Sequence, residues 1–212
     1  MTFYSPSDST FPRHYKEEVD IVFSAIDCVL NRERAIYCSC ELTSGLRLYE
    51  ALRKHKLKTA AELKKEAGQA WFDANIFVPN MDAANEFARF VRSTLIDNTM
   101  VITPAPFSAR GWSQPEYLAF WETLLRTRIK AAWFNRNWQF SNGCTFEFAV
   151  ALHGRIPVFD CDGGPLDPQS SIECVEAAIQ QLHAEGFDTS KLQENLGRMQ
   201  AVRIQAPEVF RV

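Results

Sequence analysis

The sequence lacks any apolar run near the roughly 20 residues that a membrane-spanning helix needs. Its first residues also lack the basic and apolar segments of a secretory signal peptide. The net charge is −3, so no basic excess is available to bind long nucleic acid. We therefore expect no membrane segment and no long nucleic-acid partner, whereas local donors can still hold a small anion.

The cysteines form no metal-binding pattern. The 6 cysteines include no Cys-x-x-Cys pair, and the side chains of Cys38 and Cys40 would point to opposite faces of a strand. No zinc-ligand spacing is present. These features predict reduced thiols in a cytoplasmic protein.

Apolar residues are plentiful. Among 212 residues, 46% are hydrophobic, and 16 Phe and 5 Trp predict an aromatic core. A chain of this size is expected to form one compact domain. The segment 1–13 reads as an irregular arm, 14–34 as an N-terminal helix, and the Lys- and Glu-rich residues from 54 to 68 as a solvated helix.

Short apolar, β-prone runs alternate with helical stripes along the chain. This rhythm predicts an α/β fold with a doubly wound, Rossmann- or flavodoxin-like parallel sheet of about five strands, plus added N- and C-terminal helices. The main strand candidates are residues 35–39, 100–103, 131–135 and 156–160, which we expect to be neighbours. Residues 201–204 are predicted to add a last short strand, and 75–78 are a further candidate.

One strand-to-helix turn carries most of the chemical information. The apolar run 131–134 leads through the small, polar turn 138–145, which contains Gly143, into an apolar helix. Such a turn directs N–H groups and the positive end of the helix dipole outward, where they can hold an anion or a sugar hydroxyl. Glu147 stands one turn into the helix between apolar neighbours. It is either a simple capping or dipole residue or a functional carboxylate.

Ligands of doubly wound sheets bind beyond the carboxyl ends of the strands. Three polar loops are expected at that edge, namely 38–47, 104–114 and 136–147. They therefore hold the candidate binding residues.

Read together, these loops resemble the nucleoside 2-deoxyribosyltransferase-like superfamily, which includes nucleotide N-glycosidases. The resemblance covers roughly residues 35–160, with a helical insertion at 54–80. It rests on Ile36-Tyr37-Cys38-Ser39 with Leu42-Thr43-Ser44-Gly45, on Val101-Ile102-Thr103-Pro104, and on Trp138-x-x-Ser141-x-Gly143-x-x-x-Glu147-x-x-x-Ala151.

The resemblance implies roles for individual residues. Glu147 would attack the anomeric carbon of a (deoxy)ribonucleoside, and Tyr37 would orient its carboxylate. Ser141, with Asn142 and Gly143, would hold the 5′-group. Serine at this position is typical of branches that act on 5′-monophosphates, because aspartate would repel phosphate. The resemblance also implies a homodimer, and the function that it implies would need no metal and no organic cofactor. From its sequence alone, Tyr37 would be a core tyrosine.

The remaining candidates line the same three loops. The binding set implied by the resemblance includes Ser39, Ser44 and Gly45 in the first loop. In the second, Arg110 is a candidate partner for phosphate, Trp112 for base stacking and Gln114 for a base edge; a loop folded under an aromatic cluster explains them equally well. Trp138 either walls the pocket or covers the core.

The expected function is cleavage or transfer at the N-glycosidic bond of a (deoxy)nucleoside 5′-monophosphate, a small-molecule partner. Cys40 and Glu41 stand where the family has glycine or proline, and residues 131–135 lack an acidic residue found in many relatives. These departures keep open a second hypothesis, a nucleotide-binding or sensor module of the same fold without turnover.

Overall fold

A computed structural model of the protein describes residues 13–31 and 33–205. The predicted irregular arm at 1–13 lies, apart from Arg13, outside these residues. In the described part of the chain, no helix has the length and apolar character needed to cross a membrane.

The centre of the fold is a parallel sheet. Its strands are β1 (Ala35–Ser39), β2 (Val101–Ile102), β3 (Ile129–Phe134) and β4 (Val158–Phe159), in the order β2-β1-β3-β4. Tyr37 lies opposite Ile102 on one side and Ala132 on the other. The predicted α/β class, the parallel pairing and the four neighbouring strands are confirmed. The sheet of the described residues has four strands, however, and not five.

The missing strand and the further strand candidate are both helical. Residues 201–204 belong to α9 (Ser190–Gln205), where Leu192, Asn195 and Met199 are buried at helical spacing. The backbone of these residues continues the helix, so the strand prediction was wrong. Residues 75–77 form part of a π-helical turn, Asp73–Phe77, that runs into α5 (Val78–Thr94). Pro79 lies in the first turn of α5, directly after the π-helical turn.

Seven further α-helices lie in the described part of the chain, together with a short 3-10 helix at Trp138–Phe140. In chain order they are α1 (Arg13–Leu30), α2 (Leu46–His55), α3 (Ala60–Ala67), α4 (Gln69–Phe72), α6 (Gln114–Arg128), α7 (Asn142–His153) and α8 (Pro168–Ala184). Most of the segment 54–80, for which an insertion was expected, is helical. A capping box starts α3, with Thr59 accepting from Glu62 N at 3.1 Å and Glu62 accepting from Thr59 N at 3.1 Å.

Helices cover both faces of the sheet. Tyr37 and Ala35 of β1 face the larger core, which α1, α6, α7 and α8 help to build. Ile36 and Cys38 point to the opposite face, where they pack with apolar residues of α5 such as Phe87. The alternation of side chains along β1 therefore decides which core each residue enters. Tyr37 is placed on the same side as α7.

Candidate active site

The turn before α7 folds because its polar side chains satisfy the start of the helix. Ser141 is the N-cap, and its Oγ accepts from Cys144 N at 3.4 Å. The Thr145 hydroxyl donates to the Ser141 carbonyl at 2.8 Å. Asn195 of α9 donates to the Asn142 carbonyl at 2.9 Å and so ties the turn to a second helix. This rigid start fixes the position of Glu147 one turn later.

The carboxylate of Glu147 is held from both sides by β1. The Tyr37 hydroxyl donates to its Oε1 at 2.8 Å, and the Ser39 hydroxyl donates to its Oε2 at 2.5 Å. The expected proximity of Tyr37 and Glu147 at one edge of the sheet is confirmed. Because the carboxylate accepts both hydrogen bonds from β1 and none from the start of α7, the simple capping interpretation of Glu147 does not describe its contacts.

Burial strongly influences the charge of this site. Glu147 is only 5% exposed, and the loss of hydration raises the pKa of its carboxyl to about 7, against the opposing effect of the bonds from Ser39 and Tyr37. Burial and the charge of Glu147 raise the pKa of the Tyr37 hydroxyl, which therefore stays a proton donor. With a pKa of about 7, the Glu147 carboxyl has both its protonated and its charged form populated near neutral pH.

The loop after β1 is tied directly to the start of α7. The hydroxyls of Ser44 and Ser141 are 3.1 Å apart, and the Asn142 N–H donates to Ser44 Oγ at 3.2 Å. Two of the three residues predicted to seat the 5′-group are thus already joined to a residue of the first predicted loop. The third, Gly143, has open space where a Cβ would lie, with only Ser141 Oγ within 3.9 Å.

A second carboxylate lies in this loop. Glu41 Oε2 accepts from the N–H of Leu46 at 3.1 Å, at the start of α2. Gly45 makes room for it, since a Cβ on Gly45 would be 1.7 Å from that oxygen. Burial raises the pKa of Glu41 to about 7, while the Leu46 bond and the charge of Arg47 act in the opposite direction. The sequence marks Glu41 only as a departure from the family, although its spacing from Tyr37 and Ser39 is a usable signal.

The predicted aromatic loop packs against α1. Trp112 Nε1 donates to Glu18 at 2.6 Å, and Arg110 and Trp112 line a pocket of about 320 Å³ together with Glu18 and Ile21. Gln114 is exposed at the start of α6. Trp112 therefore contacts α1 and an aromatic cluster formed by Phe107, Tyr117 and Phe120, and Arg110 lies beside the same pocket.

Phe107 connects that cluster to the strand residues. Its ring centroid lies 5.7 Å from that of Trp112 and 5.3 Å from that of Trp121. Trp121 is in turn 5.8 Å from Tyr37. Trp138, by contrast, is 7% exposed and stacks on Phe148 at 4.5 Å. Its ring thus lies in the core below the turn.

The cysteines near the site are thiols. All six cysteines are free, and Cys38, Cys40 and Cys144 are buried. Burial, together with the nearby charge of Glu147, raises the pKa of the Cys144 thiol and that of Cys40, so neither is an activated nucleophile. No group of three or more His, Cys, Asp or Glu residues suited to a metal ion occurs within residues 13–31 and 33–205.

Comparison with protein-family models, with curated proteins and with solved structures gives no match for this chain. The function is therefore inferred from the geometry of the site.

Proposed function

We propose that this protein cleaves or transfers at the N-glycosidic bond of a (deoxy)nucleoside 5′-monophosphate, with Glu147 as the nucleophile. One observation carries this proposal. A buried carboxylate at the ligand-binding edge of a parallel sheet receives hydrogen bonds on both oxygens, from Tyr37 and from Ser39. A glutamate that only favoured the dipole of α7 could do so from the exposed side of the helix, without burial and without donors from β1.

The chemistry explains this arrangement. Cleavage of a glycosidic bond passes through a state with positive charge on the sugar, which an adjacent carboxylate stabilises or traps as a covalent intermediate. Tyr37 and Ser39 fix the direction of the attacking oxygen before substrate arrives. Burial removes water that would otherwise solvate the carboxylate, so its charge acts strongly on the sugar.

The 5′-group is proposed to bind where α2 and α7 begin. Helix N-termini favour anions through their N–H groups and their dipoles. Ser44 and Ser141 each have one hydroxyl proton, and one of these two protons forms the hydrogen bond between them. The other proton can be donated to a phosphate oxygen. Arg47, at the same end of α2, adds a positive charge and donates to Asn80 at 2.9 Å.

A second candidate function is a nucleotide-binding module without turnover. It is favoured by the 5% exposure of Glu147 and by the occupation of both its oxygens. A substrate of the enzyme would have to reach a carboxylate whose two oxygens already accept hydrogen bonds. A ligand that is only bound, and not cleaved, could lie beside the carboxylate without contacting either oxygen.

The test is to incubate the protein with a panel of nucleosides and nucleoside 5′-monophosphates and to measure free base by chromatography. The matched variants are Glu147→Gln and Glu122→Gln, because Glu122 is equally buried but pairs with Arg126 on α6. Base release by the wild type and by Glu122→Gln, but not by Glu147→Gln, supports the enzyme. Binding without base release supports the module, and the absence of both refutes the two proposals.

Compartment and assembly complete the proposal. Six free thiols suit the reducing environment of the cytoplasm, which is the proposed compartment. A homodimer is proposed because the family resemblance implies one. Light scattering coupled to size-exclusion chromatography measures the mass in solution, and a mass near 24.2 kDa would identify a monomer instead.

A further inference from the structure

Polar side chains occupy alternate positions at the end of β1. Tyr37 and Ser39 both donate to Glu147. Glu41 is the next residue in this alternation, just beyond the strand, and alternate residues of an extended chain point to the same side. After burial and the charge of Glu147, the charge of Glu41 also raises the pKa of the Cys144 thiol, one turn before Glu147 on α7. Two carboxyl groups therefore face the same edge of the sheet.

The two oxygens of Glu41 have different environments. Oε2 accepts from Leu46 N, whereas Oε1 makes no hydrogen bond to any of the described residues. The charged groups around this carboxyl are Arg47 and Glu50 of α2, and the nearby thiols are Cys40 and Cys144. One oxygen thus fixes the side chain, while the other is available to a ligand.

From this geometry we propose that Glu41 is the general acid and base of the reaction, an inference that rests on the proposed function. In the first step, a Glu147 oxygen bonds to the anomeric carbon as the carbon–nitrogen bond breaks. The bonding electrons pass to the base nitrogen, and the proton of Glu41 is transferred to that nitrogen. In the second step, Glu41 takes a proton from water. The water oxygen then replaces Glu147 on the sugar, which restores both carboxyl groups.

The protonation of Glu41 suits this role. Burial raises the pKa of its carboxyl to about 7, so the protonated form needed for the first step is well populated in neutral solution. General acids work best when their pKa lies near the operating pH. A residue that only capped α2 would be more favourable as a permanent carboxylate, because the helix dipole stabilises negative charge.

The test compares two substrates in Glu41→Gln. One is a nucleotide that the wild type cleaves. The other is its N-methylated form, such as the N7-methyl purine, whose positively charged base departs without a proton. We expect a loss of roughly 10²- to 10⁴-fold on the first substrate in kcat/KM, which reports only the step in which the base leaves. On the second substrate the loss in kcat/KM should be less than about tenfold. The amide oxygen of Gln can still accept from Leu46 N, and circular dichroism checks that the variant is folded.

A matched control separates catalysis from helix capping. Glu62 accepts from Lys58 N and Thr59 N at the start of α3, so Glu62→Gln alters a helix start outside the proposed site and should leave both rates unchanged. In the wild type, kcat/KM for the first substrate should fall above about pH 7, because the first step needs the protonated form of Glu41. That decline should be absent in Glu41→Gln and with the methylated substrate.

The outcomes distinguish the two proposals. Equal losses of kcat/KM on both substrates in Glu41→Gln would show that Glu41 only shapes the loop. An unchanged kcat/KM on both substrates would also refute the inference. In either case, base release that depends on Glu147 would leave the proposed function intact. If the wild type releases base from neither substrate, the proposed function fails, and the role of Glu41 fails with it.

Discussion

The hydroxyl of Tyr37 donates to Glu147 over 2.8 Å, although 110 positions of sequence separate the two residues. Both are buried, and the charge of Glu147 helps to keep Tyr37 protonated. The protonation of each side chain therefore depends on the other, because the hydrogen bond favours a charged Glu147 and the charge of Glu147 disfavours ionisation of Tyr37. This relationship makes the site accessible to tests by small, shape-conserving substitutions.

The first prediction concerns Tyr37→Phe. The ring and its contact with Trp121 remain, but Glu147 loses one of its two donors. A hydrogen bond to a charged group contributes roughly 1.5–3 kcal/mol, so base release at neutral pH should fall by about 10- to 100-fold. The pKa of Glu147 should rise, because the lost bond favoured the charged form. The acidic limb of the pH–rate profile should therefore move to higher pH.

Tyr15→Phe is the control for this experiment. Tyr15 is also buried, and its hydroxyl donates to the backbone carbonyl of Glu116 at 2.8 Å. Removing it should lower stability without moving the pH–rate profile. If Tyr37→Phe behaves in the same way as Tyr15→Phe, the hydroxyl of Tyr37 has no part in setting the charge of Glu147.

The second prediction is a pH dependence of stability that comes from Glu147. Its pKa is near 4.5 in the unfolded chain and about 7 in the folded protein. The folded state therefore binds the proton more tightly, and this contribution is fully present below pH 4.5 and is lost as the pH rises through 7. Its loss should lower the free energy of unfolding by roughly 3 kcal/mol.

Chemical denaturation of the wild type and of Glu147→Gln between about pH 4.5 and 8 measures this effect. The variant should show a smaller decline, since the amide does not titrate. Glu62→Gln should differ from the wild type in the opposite sense, because hydrogen bonds from the backbone of Lys58 and Thr59 lower the pKa of Glu62. Parallel curves for the wild type and Glu147→Gln would contradict the proposed origin of the pKa shift.

The third prediction concerns Ser141→Asp and the seat of the 5′-group. Aspartate is as good an N-cap as serine, so α7 should still form. A carboxylate about 4 Å from a phosphate in a partly shielded site costs on the order of a few kcal/mol. Binding of a 5′-monophosphate should therefore weaken much more than binding of the matching nucleoside in calorimetric titrations. Equal weakening of both ligands would place the phosphate elsewhere.

The fourth prediction compares three glycine-to-alanine substitutions. Gly45 has a φ of +103° and would place a Cβ 1.7 Å from Glu41 Oε2; Gly68 has a φ of +93° but open space. Gly68→Ala should cost roughly 1–3 kcal/mol of unfolding free energy through backbone strain alone. Gly45→Ala should cost more, because Glu41 has to move. Gly197→Ala, within α9 and with no atom near, should stabilise by roughly 0.5–1 kcal/mol. Thermal or chemical denaturation of the three variants measures these differences.

The meeting of Tyr37 and Glu147 was expected from the resemblance, which implies that Tyr37 orients the Glu147 carboxylate. The residues alone predict less: each side chain follows or lies on a buried strand, and parallel strands bring their carboxyl ends to one edge of the sheet. Period-two alternation then assigns Tyr37 and Ser39 to the same side. The two strand candidates that are helical, 75–78 and 201–204, were misassigned because a short apolar run fits a strand and part of a helix equally well.

The directions of the loop residues were not predictable in the same way. No period governs where Trp112 or Arg110 points, and their position depends on α1, whose packing joins residues far apart in sequence. The bond between Ser44 and Ser141 is similar, since it links two loops that no local pattern relates. The burial of Glu41 was not predictable, because it comes from tertiary packing. Its position in the sequence suggests only an extra negative charge in the loop.

The order of the strands has a consequence for how the protein is made. β1 is a central strand, yet both its neighbours are synthesised after it. Glu147 leaves the ribosome 110 residues after Tyr37, an interval of roughly 5–20 s at usual rates of translation. During this time, the edges of β1 are open to pairing with other chains. The nascent protein is therefore most prone to aggregation before β3 and α7 emerge, and this is the period in which a chaperone would protect it most.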